Sequence, residues 1–569
     1  MKKKVLTMLL STTMVFSILL TGCGSKSTTD KSASMAPAAV KTGSEFIKAS
    51  DSSKCPSVAK DRKDTFIMGG GVPGGNFVNC YAHTMTDVYI GDSIFDGLTD
   101  IDENGTPTAG VAKSWDISKD GLTYTFHLRD DVKFSDGTSL TADDVKFTFE
   151  VICDPSFSGA WDSSSMGIKG RDDFNKGKTK DLEGVKVIDK HTVSITLDHP
   201  NSSLLYQIRE VILPKSYFGK DYTPGNTKCV EALLQKPVGC GPYKIVKYVP
   251  GQEVDLEANE NYWKGTPKIK NIIFKATDEN NSIQNLISGA TDADTFKATP
   301  ENISQLKEKG FINLSIVPAA QYSYVGVNCK DAKFSDKNVR QALAYGLNRQ
   351  QLIQTVYKGQ AFLASEPQSI INPSYLKNVN EYKYDPDKAN KLLDAAGWKK
   401  GSDGMRSKNG VKFTIQLLCS STNAANQLII PIMKANYKEL GIDVVPQLMD
   451  LNTVLSKMQS KKFDAYLMGT SIGADVMSDL AGLKSNSPYN FNQYSNSDVD
   501  KLVDDGIKET NDKNRIEIEQ KIYKIVNEEL PNIYTYQPKT LYGYNSRISG
   551  IEFLPYKNFP YSFYKTEIK

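Results

Sequence analysis

The one long apolar run of this chain lies at its N-terminus, and it indicates the cellular compartment in which the rest of the chain folds. Lys2, Lys3 and Lys4 precede an uncharged segment from Val5 to Leu20, which is the layout of a secretory signal peptide. The segment is shorter than the roughly 20 apolar residues that span a bilayer, so a retained transmembrane helix is the weaker interpretation. No second run of this kind follows, and we expect a mature protein that folds in water outside the cytoplasm.

The end of the signal segment predicts a lipid anchor. Leu20-Thr21-Gly22-Cys23 resembles the bacterial lipobox, which implies that residues 1–23 form a lipoprotein signal and that Cys23 carries a diacylglyceryl group. The alternative is an ordinary signal peptide with an incidental cysteine. Residues 24–60 are rich in Ser, Thr, Lys and Ala for much of their length, so we expect a flexible tether. The prediction is a protein on the outer face of the cell membrane, anchored through Cys23.

Charge and length narrow the class of protein. The formal net charge of +3 falls to about zero once the three N-terminal lysines leave with the signal, so nothing suggests a nucleic-acid partner. A chain of 569 residues exceeds what one hydrophobic core usually serves, which implies two or three folded units.

The cysteines and histidines argue against a metal or cofactor site. No two cysteines have C-x-x-C spacing, and the four histidines are scattered without an i, i+4 pair, so no metal is expected. Exported chains can hold disulfides, and Cys229 and Cys240 bracket a short loop. They are the candidate disulfide.

Hydrophobic patterning indicates an α/β fold, because short β-rich stretches alternate with amphipathic helical patterns. The predicted strands lie in Thr123–Leu128, Val185–Leu197, Val254–Ala258 and Ile269–Lys275, and the predicted helices in Asn338–Lys358, Pro386–Ala396 and Ser497–Ile507.

Enzyme motifs are weak. Gly69, Gly71 and Gly74 satisfy G-x-G-x-x-G, but a dinucleotide fingerprint must open a helix, and Pro73 and Gly75 disfavour a helix there. A glycine-rich loop that allows close backbone approach is the better interpretation. The chain contains no H-E-x-x-H motif, and the paired acids Asp143-Asp144 and Asp504-Asp505 lie in helical patterns. We therefore predict that it is not an enzyme.

Three long blocks carry a resemblance to a known family. Residues 111–149 read VAKSWDISKDGLTYTFHLRDDVKFSDGTSLTADDVKFTF, residues 237–265 contain PVGCGPYKIVKYVPGQ, and residues 334–353 read FSDKNVRQALAYGLNRQQLI. In this order they resemble the peptide and nickel class, family 5, of ABC-transporter solute-binding proteins.

The resemblance implies a fold and a division of the chain. Its members have a two-lobed, type II periplasmic-binding-protein-like fold with a hinge and an extra subdomain. Here lobe I would span 61–322, with an inserted subdomain at about 96–199. Lobe II would span 323–531, and 532–569 would return to lobe I. We expect a monomer.

The resemblance also implies a ligand anchor. Peptide-binding members carry an Asp between a Phe-Asp strand and a Tyr-Ser-Asn turn, and Asp475 takes that position here, within a segment that includes Ser471 and Gly473. This chain departs from the usual Trp and Asp-Pro repeats of the segment, which leaves Asp479 as a rival. The alternative for Asp475 is a helix cap or a pair with a lysine.

Two tyrosines at the predicted return hinge, Tyr534 and Tyr536, are further candidates that would flank ligand side chains. Alternating aromatic residues in a strand are often core residues instead.

The predicted function is capture of oligopeptides or dipeptides between the lobes and their delivery to an ABC permease in the membrane. Within the family, a nickel complex or an oligosaccharide is the alternative ligand. A lipid-anchored surface sensor or adhesion protein with the same fold is the alternative from a different class.

Overall fold

The computed structural model describes residues 43–569. The predicted signal segment, Cys23 and the first part of the tether lie outside the described residues, so the lipid anchor stays a prediction. Within the described part, no helix is both long enough and apolar enough to cross a membrane.

Strands and helices alternate along the chain, as the patterning predicted. The strands are β1 Glu45–Ile47, β2 Thr65–Gly70, β3 Thr99–Ile101, β4 Pro107–Ala109, β5 Ala112–Ile117, β6 Thr123–Leu128, β7 Val185–Asp189, β8 Thr192–Thr196, β9 Tyr243–Val249, β10 Glu253–Ala258, β11 Asn271–Ala276, β12 Ala293–Lys297, β13 Ile312–Pro318, β14 Gln321–Val327, β15 Ala361–Leu363, β16 Lys399–Lys400, β17 Arg406–Lys408, β18 Val411–Lys412, β19 Thr414–Ser420, β20 Asp443–Met449, β21 Ala465–Ser471, β22 Asn532–Asn545, β23 Ile548–Ser549 and β24 Glu567–Ile568.

The α-helices are α1 Ser57–Lys60, α2 Met85–Ile94, α3 Ala142–Cys153, α4 Arg171–Asn175, α5 Leu204–Gln207, α6 Lys215–Phe218, α7 Lys228–Glu231, α8 Ser282–Ser288, α9 Pro300–Lys307, α10 Lys337–Tyr345, α11 Arg349–Tyr357, α12 Pro386–Ala395, α13 Ala424–Glu439, α14 Leu451–Gln459, α15 Val476–Ala481, α16 Ser497–Lys508 and α17 Asp512–Glu529. Short 3-10 helices cover Ser52–Lys54, Asn79–Tyr81, Ser163–Met166 and Phe559–Lys565. The α/β prediction is confirmed.

Two separate clusters of buried apolar residues define two lobes. The core of the first lobe draws on residues between Phe66 and Ala293 and again between Tyr544 and Phe563. The core of the second lobe draws on residues between Val325 and Tyr536. The first lobe is therefore discontinuous in sequence, since the chain leaves it and later returns.

A 13-stranded sheet runs through both lobes. Ten of its strands follow the order β20-β19-β21-β14-β22-β12-β2-β11-β10-β9, and β1, β13 and β15 pair off this path. The long strand β22 joins the two halves. Its first part pairs with β14, from Asn532 to Tyr536, and its second part pairs with β13, from Lys539 to Asn545. The chain therefore crosses back to the first lobe within β22, and the domain boundary at 532 stays a prediction.

A separate four-stranded sheet, β5-β6-β8-β7, lies within the predicted inserted subdomain. Helix α3 lies between β6 and β7 in the chain and begins after Thr141. The Thr141 backbone N–H donates to the Asp144 carboxylate at 2.8 Å, so the acid at the third helical position satisfies the N–H of the capping residue. The boundaries of the subdomain stay a prediction.

The expected disulfide is not formed. All seven described cysteines are free thiols. Cys240 is fully buried, and its thiol donates to the carbonyl of Asp96 at 3.6 Å. Cys229 lies on the short helix α7 instead. The prediction of a Cys229–Cys240 bridge is therefore wrong for this structure, because the thiol of Cys240 is engaged by the backbone of another segment.

Candidate functional site

The segment that follows β21 brings acidic side chains to the boundary between the lobes. β21 ends at Ser471, which pairs with Gln321 of β14. The next residue, Ile472, donates its N–H to the carbonyl of Ala320 at 2.8 Å. These bonds fix the point at which the chain leaves the sheet, and helix α15 begins directly after Asp475.

Two carboxylates fold this segment back on itself. Asp475 is the N-cap of α15, a position where an acidic side chain accepts a free N–H of the first turn, and its Oδ1 accepts from the Ser478 N–H at 3.4 Å. Oδ2 of Asp479 accepts from the Gly473 N–H at 3.0 Å. The helix-cap alternative for Asp475 thus describes part of its role, but the bond is longer than the usual range for an N–H···O hydrogen bond.

A cavity of about 400 Å³ lies between the lobes beside this segment. Its volume is typical of pockets that take small ligands. The second lobe lines it with Gly473, Ala474, Asp475, Ser478 and Asp479, and the first lobe lines it with Ala160, Trp161, Asp162, Ser165, Met166, Tyr206, Gln207, Arg209 and Glu210. The structure therefore brings together three predicted residues, Asp475, Asp479 and Gly473.

The acidic groups around this cavity resist ionisation. Burial raises the pKa of Asp475 above its usual value, although the Ser203 hydroxyl and the Arg515 cation act in the opposite direction. The carboxylate of Asp479 opens onto the cavity, yet the protein that surrounds it raises its pKa to about 7, and the negative charge of Asp475 adds to this effect. Burial likewise raises the pKa of Glu519 to about 7. Ionisation of these acids is therefore costly unless a cation lies beside them.

Arg515 on α17 is the cation next to these acids, and it also reaches the other lobe. Its Nη2 donates to the Tyr206 hydroxyl at 2.6 Å. Its ion pairs are with Asp512 at 3.0 Å and with Glu519 at 3.7 Å. The side chain thus links the lobes through Tyr206, while its charge is shared among several carboxylates.

Further contacts hold the lobes together around the cavity. The Ser202 N–H of the first lobe donates to the Ile507 carbonyl of the second at 2.9 Å. The Tyr556 hydroxyl donates to Oε1 of Gln368 at 3.2 Å. These bonds describe lobes that have closed on one another, and they show which polar groups an opening motion would expose.

Tyr534 and Tyr536 are placed elsewhere. Both are buried in the core of the second lobe, where Tyr534 packs edge-on against Tyr322 with ring centroids 5.6 Å apart. Ser471 ends its strand but does not line the cavity. The structure favours the core alternative for the tyrosines, because alternating strand positions place their rings against neighbouring strands and helices.

The glycine-rich loop after β2 binds an internal carboxylate. Asp87 accepts from the N–H groups of Gly74 at 2.8 Å and of Gly75 and Asn76 at 3.3 Å. Backbone amides of this kind can bind a phosphate, but here they are already bonded to Asp87. The loop is therefore not a dinucleotide-binding fingerprint. A Cβ on Gly69 would lie 2.1 Å from Oδ2 of Asp294, which is the close approach that the glycines allow.

Several residues in and around the cavity were not predicted from the sequence. Trp161, Tyr206 and Glu210 line the cavity, and Arg515 lies behind it as a donor to the Tyr206 hydroxyl. Only the fold brings these residues near Asp475. The one available signal was the spacing of Arg515 and Glu519, a charged i, i+4 pair on a helix. Within residues 43–569, no three His, Cys, Asp or Glu side chains are placed to hold a metal ion.

Two α/β lobes that close on a polar cavity define a protein that encloses a solute. The family described as bacterial extracellular solute-binding proteins, family 5 Middle, matches residues 106–491. The chain belongs to this family, as the resemblance predicted, and the family consists of solute-binding proteins rather than enzymes.

Known relatives bind different solutes. The oligopeptide-binding protein AppA of Bacillus subtilis is 28% identical over 567 residues, which covers 97% of each chain. The structure of AppA from Bacillus subtilis in complex with a nonapeptide is 26% identical, with a TM-score of 0.69 over 89% of this chain and 99% of that one. NikZ from Campylobacter jejuni in complex with Ni(L-His) is also 26% identical, with a TM-score of 0.71 and the same coverage. The two-lobed fold prediction is thereby confirmed.

Proposed function

We propose that this chain is an extracytoplasmic solute-binding lipoprotein of an ABC importer, which encloses oligopeptides or dipeptides between its lobes and delivers them to the permease. One observation carries the ligand class. Asp475 and Asp479 both line the interlobe cavity, and in the described part of the chain neither carboxylate has a Lys or Arg nitrogen within 4.0 Å.

An ammonium group of the ligand supplies the missing charge. A carboxylate that loses water without a cationic partner is costly, and the raised pKa of Asp475 reflects that cost. The α-ammonium of a peptide, placed beside Asp475, restores the balance when the lobes close. A neutral sugar offers no such compensation, so the site suits an amine better than an oligosaccharide.

The relatives support a peptide without deciding the ligand, since AppA binds a nonapeptide and NikZ binds Ni(L-His). Histidine also carries an ammonium group, so the shared chemistry is an amino-acid amine. A nickel complex is therefore one of the outcomes that the binding experiment must distinguish.

The lipid anchor is tested separately. Cys23→Ala removes the proposed acyl attachment point, so the variant is expected in the soluble fraction after cell lysis, whereas the unmodified protein sediments with membranes. A variant that stays with the membranes would support a retained helix instead.

Calorimetric titration of a tripeptide with a free N-terminus tests the ligand anchor. Loss of one partner from a buried charged pair costs about 2 to 5 kcal/mol, so Asp475→Asn is expected to weaken binding by roughly 30-fold or more. Asp450→Asn is the matched control, because Asp450 is also a helix N-cap, accepting from the Thr453 N–H at 3.0 Å, but does not line the cavity.

N-terminal acetylation of the peptide provides the second arm. It is expected to cost as much as Asp475→Asn, and the two changes together are expected to cost much less than their sum. Full affinity in Asp475→Asn would move the anchor to Asp479. Equal binding of the acetylated peptide would overturn the amine as the recognised group.

A further inference from the structure

We propose that the interlobe cavity selects peptides whose N-terminal residue is lysine or arginine, because its walls accommodate a second positive charge beside the α-ammonium. This inference rests on the proposed function, in which Asp475 binds that ammonium group. It concerns what the rest of the cavity recognises.

The walls of the cavity carry more acids than the anchor requires. Asp479 comes from the second lobe, and Asp162 and Glu210 come from the first. The lining contains one cation, Arg209, which pairs with Glu210 at 2.7 Å. Besides Asp475, three carboxylates thus line the cavity with one guanidinium. A ligand whose only positive charge is its α-ammonium leaves the remaining negative charge without a partner.

The environment behind Glu210 adds to this excess. Asp92 is partly buried there, and its pKa is raised to about 7 by desolvation first and by the negative charge of Glu210 second. Arg209 lowers the pKa of Asp92, so its charge is shared between two acids. Little of it remains to offset Asp479 on the opposite wall.

Two aromatic side chains complete a surface suited to a cation. Trp161 and Tyr206 both line the cavity, and cations bind favourably over aromatic faces. The ring of Tyr206 already does this within the protein, because the guanidinium carbon of Arg515 lies 5.3 Å from its centroid. Acids together with aromatic faces bind an ammonium or guanidinium group better than either does alone.

An uncharged side chain fits this cavity less well. Hydrocarbon placed against Asp479 removes water from the carboxylate and returns no charge. A lysine side chain offers the same methylene stem for contact with Trp161, and its ammonium group replaces the lost water. Selection therefore arises from the penalty on neutral side chains as well as from attraction of basic ones.

The test compares two peptides that differ only in the terminal charge of the first side chain. Calorimetry of the unmodified protein with Lys-Ala-Ala and with norleucine-Ala-Ala, both with free α-amines, is expected to show about tenfold tighter binding of the lysine peptide. Asp479→Asn is expected to bring this ratio below about threefold. The amide oxygen of asparagine can still accept the Gly473 N–H bond, so the loop is retained.

Asp450→Asn again serves as the control, and it is expected to keep the tenfold ratio. If both peptides bind equally and Asp475→Asn weakens both, the selectivity is wrong while the proposed function stands. If the ratio survives Asp479→Asn, that residue does not set the preference and the inference is overturned. If neither peptide binds the unmodified protein, both the proposed function and this inference are wrong.

Discussion

A buried glutamate of the second lobe makes the stability of this protein depend on pH. Glu366 is 0% exposed; its Oε1 accepts the Leu376 N–H at 2.8 Å, while Oε2 has no hydrogen-bond partner. Burial raises its pKa to about 8, above the value of about 4.3 expected in an unfolded chain. Between these two pH values the folded protein binds more protons than the unfolded one, so the free energy of unfolding falls as pH rises from about 4 to about 8.

The magnitude follows from the difference between the two pKa values. At about 1.4 kcal/mol per pKa unit, ionising Glu366 in the folded protein costs about 5 kcal/mol. Glu366→Gln removes this cost, since a neutral amide can still accept the Leu376 N–H. We expect the stability advantage of the variant to grow from about 1 kcal/mol at pH 5 to about 5 kcal/mol at pH 9.

Urea denaturation followed by circular dichroism at pH 5, 7 and 9 measures this difference, and subtracting one protein from the other cancels the titration of all other groups. Glu517→Gln is the control, because Glu517 is exposed on α17 and its replacement is expected to give a flat difference. A flat difference for Glu366→Gln as well would refute the reasoning, since it would mean that Glu366 ionises in the folded protein without cost.

Three further predictions concern binding and packing. Affinity for a peptide amine is expected to fall about tenfold from pH 8 to pH 6, because a ligand cation favours the ionised forms of Asp479 and Glu519, whose pKa values are raised to about 7. Calorimetry in two buffers should show that the protein releases protons on binding, and proton uptake would contradict this prediction. Arg349→Met is expected to destabilise the second lobe by about 3 kcal/mol or more in urea, because the buried guanidinium donates to backbone carbonyls of three separate segments, and an unchanged midpoint would contradict this role. Gly241→Ala is expected to lower the free energy of unfolding by about 2 kcal/mol or more, because its Cβ would lie 2.5 Å from a backbone carbon. Gly70→Ala is the control and should be tolerated, because the nearest atom to its Cβ lies 3.9 Å away; equal losses of stability in urea for the two variants would contradict the prediction.

Local patterns predicted single elements well. The strand expected over 123–128 is β6, and the helices expected from residues 386 and 497 begin at those positions as α12 and α16. The helix expected over 338–358 is instead two helices, α10 and α11. The break between α10 and α11 has a local cause. The side chain of Asn348 caps a new helix by accepting the Gln351 N–H at 3.0 Å, although the hydrophobic spacing continues across the break.

The candidate site was only partly predictable. Asp475 and Asp479 were found because they lie in one short segment with a family-like pattern. Tyr206 and Arg515 are 309 residues apart, and no local rule connects them. The same limit explains the disulfide error, since sequence spacing does not reveal that Cys240 is packed against the carbonyl of Asp96.

Native mass spectrometry of the protein incubated with a defined mixture of short peptides tests the central claim most directly. If the interlobe cavity binds peptides through their α-ammonium group, bound masses should correspond to free-amine peptides, and acetylating the mixture should abolish them. Equal retention of acetylated peptides, or binding of a nickel–histidine complex in preference to every peptide, would contradict the account.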